Sequence, residues 1–322
     1  MRFNEFIIED EEKKKERVIR TLQKKKAEDP IFDKAYKLVV GPAVDSRIKN
    51  YLIAHKDPDI GADAISFLVK EIPNLGTFEE IKDFLEKWNS GVDYIKIDKL
   101  IPSSGMDDPA PLEAIVEQGI ARKLFQELSA KSSGLGKSDA GPAEAALAIM
   151  SERISFPKTP GGDLLIDGNE IEIKGGGKST KSGGGRIWGK EKLNQQPMTD
   201  ILSESPYAGK NITVIAGTKP LPDNFPREQF IKACCNSWFK KEVPGVIKSF
   251  GTPEFRKAWN IAVYDHYQAY AGHKGILIIG AANYKYIVSG EQLFNTRQSS
   301  AGYLYNPKTS QDRDMAPQLS IG

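Results

Sequence analysis

From Gly161 to Lys174 the chain reads Gly-Gly-Asp-Leu-Leu-Ile-Asp-Gly-Asn-Glu-Ile-Glu-Ile-Lys, and three of its side chains could do chemistry together: Asp163, Glu172 and Lys174. Side chains alternate along a strand, so Glu170, Glu172 and Lys174 share one face while Ile171 and Ile173 point into a core. The run Asp167-Gly168-Asn169 is a turn signal between strands at Leu164–Ile166 and Ile171–Lys174. Folding the first strand back beside the second brings Asp163 to the Glu172 end of the hairpin. Two carboxylates and an ammonium then converge. A hard divalent cation such as Mg²⁺, or Mn²⁺ in its place, takes oxygen ligands and commonly one or two carboxylates, leaving positions for water and a phosphate. Asp163 and Glu172 are therefore candidate metal ligands. A cation there would activate water and stabilise a leaving oxygen, with Lys174 adding positive charge where the transition state becomes negative.

Asp163 followed nine positions later by Glu172-Ile173-Lys174 resembles the signature of the PD-(D/E)xK nuclease superfamily, whose fold is that of type II restriction endonucleases. The preceding helix of that family often carries another acid, and Gly141-Pro-Ala-Glu144-Ala-Ala-Leu offers Glu144 in the corresponding place. The resemblance implies an Mg²⁺-dependent DNA endonuclease. On that reading Asp163 and Glu172 hold the metal, Lys174 orients or activates water, and Glu144 is an accessory acid. One departure stands out: Gly162 precedes Asp163 where the family pattern has proline. The Glu-x-Lys triplet alone carries nothing, since it recurs at Glu11–Lys13, Glu12–Lys14 and Glu80–Lys82. Only the copy at Glu172 lies on an apolar hairpin behind a Gly-Asp.

Directly downstream, Gly175 to Lys192 combines Lys178, Lys181, Arg186, Lys190 and Lys192 with many glycines and with Trp188. Basic side chains on a glycine-rich loop can approach phosphates, and a tryptophan can stack on or wedge against a base. These six residues are candidate nucleic-acid contacts. The same run holds Gly177-Lys178-Ser179-Thr180, yet a phosphate-binding P-loop needs glycine where Glu172 stands; Gly136-Lys137-Ser138 fails likewise, with Lys131 in the glycine position. His266 and His273 lie seven apart, which on a helix is about 10 Å and too far for one metal. They read as satisfied surface histidines. Gln268 and Tyr270 are candidates for packing or DNA-backbone contact.

The elements that must position these residues follow from periodicity. Residues 1–30 are dominated by charge and read as an exposed helix or arm. Residues 31–130 show helical spacing of apolar residues, as in Phe78–Trp88 and Leu112–Phe125. A Ser/Gly-rich linker at 131–142 marks the main boundary. The nuclease-like core is expected over 143–294: a helix at Ala143–Met150, the hairpin, a strand at Ile212–Ala216, helices at Arg227–Lys241 and Pro253–Ala271, and strands at Gly275–Ala281 and Tyr284–Val288, with an insertion at about 193–260. The mixture predicts an α/β fold, a mixed sheet flanked by helices. Residues 295–322, rich in Ser, Gln, Asn and Pro, read as an extended polar tail.

Composition sets the outer limits. At 322 residues, 39% hydrophobic and 27% charged, the chain is expected to fold around a sizeable core. Lys plus Arg number 45 against 43 Asp plus Glu, so a nucleic-acid footprint must be local. Two adjacent cysteines, Cys234 and Cys235, argue against a disulfide framework or a zinc site. No stretch approaches the roughly 18 apolar residues of a membrane span and the N-terminus turns acidic, which predicts a cytoplasmic protein that does not engage membranes. DNA is the expected partner, and cutting two antiparallel strands suits a homodimer. Two other readings remain open: a phage or mobile-element assembly protein using the nuclease fold as scaffold, and a nucleic-acid binder that does not cut.

Overall fold

The computed structural model of the chain describes residues 2–39, 58–130, 142–157, 162–175, 194–210, 212–216, 221–280, 282–296, 298–300, 303–308, 318–319 and 321. It is an α/β protein built on a six-stranded mixed sheet with helices on both faces. The strands are β1 (Ala110–Pro111), β2 (Ile154–Ser155), β3 (Leu164–Ile166), β4 (Asn169–Gly175), β6 (Gly275–Ile279) and β7 (Asn283–Ile287), in the order β1-β7-β6-β4-β3-β2. Between β4 and β6 the pairing is parallel, with Glu172 beside Ile276 and Lys174 beside Ile278; the other neighbours are antiparallel.

The β3–β4 hairpin forms where Asp-Gly demands it. Asp167 and Gly168 both have positive φ, 50° and 75°, the conformation of a two-residue turn that matches the twist of its strands. Asp167 also pairs with Arg153, which fixes the turn to the residues just before β2.

The sheet separates two cores. One face carries Leu164, Ile166, Ile171, Ile173, Leu277, Ile279, Tyr284 and Tyr286, packed with the N-terminal helices and with α7 (Pro142–Met150). Those helices are α1 (Arg2–Glu28), α2 (Pro30–Val39), α3 (Pro58–Glu71), α4 (Phe78–Asn89), α5 (Ile97–Leu100) and α6 (Ile120–Ala130). α1 is anchored: Val18 and Leu22 are buried, and Lys25 bonds Ser66 at 2.8 Å on α3. α4 begins with a capping box between Thr77 and Glu80 and reaches α7 through Trp88, whose indole donates to the Ile149 carbonyl at 3.2 Å. The N-terminal helical region thus shares one core with the sheet and lends it the edge strand β1.

The other face carries Ile276, Ile278 and Ile287 and is covered by α8 (Gln196–Ser203), α9 (Arg227–Phe239), α10 (Pro244–Ser249), α11 (Phe255–Ala271) and α12 (Gly290–Asn295). The chain beyond Asn295 departs from the expected extended tail. It forms β8 (Gln298–Ser300), β9 (Tyr303–Tyr305) and β10 (Gln318–Leu319); β9 pairs with β5 (Val214–Ile215) and β10 with β8. The reason is burial: Leu304, Tyr305, Leu319 and Ile321 enter this second core, and isolated apolar residues in a polar stretch leave no period to read. Among the described residues, no helix is long and apolar enough to cross a membrane.

Candidate active site

β4 is hydrophobic on one face only. Ile171 and Ile173 enter the first core, and by alternation Glu172 and Lys174 face α11 on the other side. Antiparallel register sets Leu164 opposite Ile171, so Asp163, one residue earlier, stands level with Glu172. Its carboxylate Oδ2 accepts from the Ile173 backbone N–H at 2.8 Å, which fixes it across the hairpin. Lys174 Nζ contacts Glu172 Oε1 and lies 4.0 Å from Asp163 Oδ2. A single ammonium therefore lies within reach of both carboxylates. The expected convergence of Asp163, Glu172 and Lys174 at one strand end is present.

Burial grades across the three. Glu172 is 6% exposed, the Lys174 side chain 15% and the Asp163 side chain 34%, so the site opens toward solvent on the Asp163 side. Burying a carboxylate is unfavourable unless its charge is matched and its lone pairs satisfied. Glu172 has its charge matched at Oε1 by Lys174 and a hydrogen bond there from a residue that sequence reading passed over: Tyr267, on α11, donates its hydroxyl to Glu172 Oε1 at 2.5 Å. Burial first, then the negative charge of Glu172, pushes the Tyr267 hydroxyl far above its ordinary value of 10, so it stays a donor. Lys174 Nζ also sits 5.9 Å from the Tyr267 ring centroid. Tyr267 lies three residues after the fully buried Tyr264, on the helix face toward the sheet; that spacing was the available signal.

His273 corrects the expectation of a satisfied surface histidine. It is 2% exposed, and neither ring nitrogen has a hydrogen-bond partner. α11 ends at Ala271, with Gly272 at φ 75° as its left-handed cap, so His266 and His273 do not share one helix. The turn at Gly272 drives His273 inward, where its ring lies 5.1 Å from that of Tyr267. Burial lowers its pKa below the ordinary 6.5, opposed by the charge of Glu172 and reinforced by that of Lys174. Gln268 donates to the Lys274 carbonyl at 3.3 Å and so braces the same turn, whereas Tyr270 is exposed. A further lysine went unnoticed in the sequence: Lys285 is buried on β7, paired with the same Ile278 that neighbours Lys174.

Glu144 sits in the first turn of α7, half-buried. α7 packs in the core that Ile171 and Ile173 enter, so the helix that carries Glu144 covers the face of β4 opposite to the one that presents Glu172 and Lys174. Lys178, Lys181, Arg186, Trp188, Lys190 and Lys192 lie outside the described residues, as does most of the 131–142 linker. Elsewhere, a cleft of about 510 Å³ between α8 and α9, lined by Asn194, Ser237 and Lys240, offers no carboxylate for a cation.

The donor set suits a hard cation. Two carboxylates flank a position that a positive charge already occupies, and oxygen ligands of this number match Mg²⁺ or Mn²⁺ with the remaining positions open. Among the described residues no group of three or more His, Cys, Asp or Glu side chains is placed to hold a metal ion. Compared with protein-family models, with curated proteins and with solved structures, the chain matches none.

Proposed function

We propose that the chain is a divalent-metal-dependent deoxyribonuclease of restriction-endonuclease-like fold that cuts DNA internally by hydrolysing phosphodiester bonds. The observation that supports this best is the meeting of Asp163 and Glu172 at one ammonium on a strand otherwise buried in the sheet. When bound, Mg²⁺ or Mn²⁺ would supply the charge that activates water and stabilises the leaving 3′ oxygen. Asp163 and Glu172 would hold it. Lys174, displaced from Glu172 by the incoming cation, would keep its ammonium beside the reacting phosphate and orient the attacking water. Tyr267 would hold Glu172 in place, and the basic run from Lys178 to Lys192, with Trp188, would carry the DNA backbone to the site. Glu144 would serve as an accessory acid by the family resemblance alone, since its helix packs on the other face of β4.

The test is cleavage of supercoiled plasmid, linear duplex and circular single-stranded DNA in Mg²⁺, Mn²⁺ or EDTA. The proposal expects metal-dependent nicking or linearisation of circular substrates that Glu172→Gln and Lys174→Ala abolish. Cutting both strands of a duplex calls for two sites, so a homodimer is part of the proposal; solution mass with and without DNA checks it.

A second reading has its own observation. Lys174 and Tyr267 satisfy Glu172 within the protein, which is also the arrangement of a structural ion pair in a scaffold or assembly protein. The two readings part on metal: a scaffold pair takes up no Mn²⁺. A DNA binder that does not cut would retain salt-sensitive association after Glu172→Gln and show no cleavage before it.

A further inference from the structure

We infer that Tyr267, braced by the ring of His273, is the positioning residue for Glu172, and that it sets the affinity of the site for its cation. The inference rests on the nuclease reading above and deepens it, adding the brace at His273 and the cation affinity that the Tyr267–Glu172 hydrogen bond sets. Glu172 Oε1 carries two donors, the Tyr267 hydroxyl at 2.5 Å and the Lys174 ammonium, whereas Oε2 accepts from no described residue. If a cation replaces the ammonium, Tyr267 is the remaining hydrogen bond that fixes the carboxylate. Residues that hydrogen-bond a metal ligand orient it and reduce its freedom before the metal arrives.

Tyr267 in turn needs a fixed ring. It gets one wall from His273, whose side chain is buried with both nitrogens unpartnered. A buried imidazole without hydrogen-bond partners is unfavourable, so packing must hold it in place. A flat ring at 5.1 Å, tilted by 58°, packs against Tyr267 as an aromatic partner does. The turn at Gly272 places it there, immediately ahead of β6, the strand paired with β4.

Electron paramagnetic resonance titration of free Mn²⁺ against the full chain tests this, with thermal melts and cleavage in parallel. Tyr267→Phe keeps the ring and removes the hydroxyl; Mn²⁺ affinity should fall by roughly tenfold. Its melting temperature should fall much less than that of Lys174→Ala, because the ammonium still matches the Glu172 charge, and saturating Mn²⁺ should restore cleavage, which it cannot do for Glu172→Gln. His273→Ala should weaken Mn²⁺ by a smaller factor, and His273→Phe should regain it by restoring the ring. Tyr267→Phe binding Mn²⁺ as tightly as wild type overturns the inference while leaving the nuclease reading intact. Cleavage that excess Mn²⁺ fails to restore marks Tyr267 as a packing residue and also overturns it. If His273→Phe binds as poorly as His273→Ala, the nitrogens matter and the brace is wrong. A wild-type chain that neither takes up Mn²⁺ nor cleaves DNA removes the nuclease reading itself, and the inference with it.

Discussion

Gly162 and Ile171 touch through their backbones: a side-chain carbon on Gly162 would stand 2.7 Å from the Ile171 nitrogen and 2.8 Å from its carbonyl oxygen. This close approach lies next to Asp163, and it gives a physical reason for glycine where the PD-(D/E)xK pattern has proline. A Cβ cannot enter without separating the hairpin. Gly162→Ala should therefore lower stability by about 1–3 kcal/mol, as overpacking does, and Gly162→Pro by more. Denaturant unfolding checks the size, and both variants should lose cleavage in proportion to the shift of Asp163.

Lys174 is predicted to stabilise the metal-free protein. Removing it leaves Glu172, 6% exposed, with the Tyr267 hydroxyl alone. Breaking one side of a buried ion pair typically destabilises by about 3 kcal/mol or more, so Lys174→Ala should melt well below wild type in EDTA. Because a cation can take the place of the lost ammonium, Mg²⁺ should raise the melting temperature of Lys174→Ala more than that of wild type. Equal shifts would mean that Lys174 and the cation do not compete for the carboxylates, and no shift in either protein would mean that the carboxylates gather no cation.

The hairpin, its Asp-Gly turn and the alternation that isolates Glu172 and Lys174 from Ile171 and Ile173 were legible in the sequence, because all of them are local. Asp163 reaching Glu172 followed from the turn. Tyr267 was not legible as a partner of Glu172: the two are 95 residues apart and meet only because β6 pairs in parallel with β4 and brings α11 over that face. His273 was not legible as a buried residue, because the left-handed turn at Gly272 after the helix end, and not helical spacing, sends its imidazole inward. β1 and the strands after Asn295 escaped for a different reason. They are two or three residues long, and their pairing partners are distant in sequence.

Stability should depend on pH through His273. Its folded pKa lies below the ordinary 6.5 because burial disfavours the imidazolium, with Lys174 reinforcing and Glu172 opposing the shift. Between the folded value and 6.5 the unfolded chain binds the extra proton, so stability rises with pH across that window. The contribution is fully present above about 6.5 and is lost as pH falls toward the folded value. His273→Phe should flatten this slope in denaturant unfolding followed from mildly acidic to neutral pH; an unchanged slope would place the titration elsewhere.

The basic run should govern DNA association without governing chemistry. Lys190→Ala with Lys192→Ala is expected to weaken duplex binding and to reduce the salt dependence of log K by about two if each contacts one phosphate. Glu172→Gln should leave that slope unchanged. Fluorescence anisotropy over a range of salt concentrations separates the two effects.

The most direct measurement is plasmid cleavage by purified wild type, Glu172→Gln and Lys174→Ala in Mg²⁺, Mn²⁺ and EDTA. Wild type should nick or linearise the plasmid only with metal, and Glu172→Gln should lose at least about a hundredfold in rate while remaining folded. A folded wild-type chain that leaves plasmid, linear duplex and single-stranded circles intact at high concentration in both metals would contradict the account and make Asp163, Glu172 and Lys174 a structural ion-pair cluster.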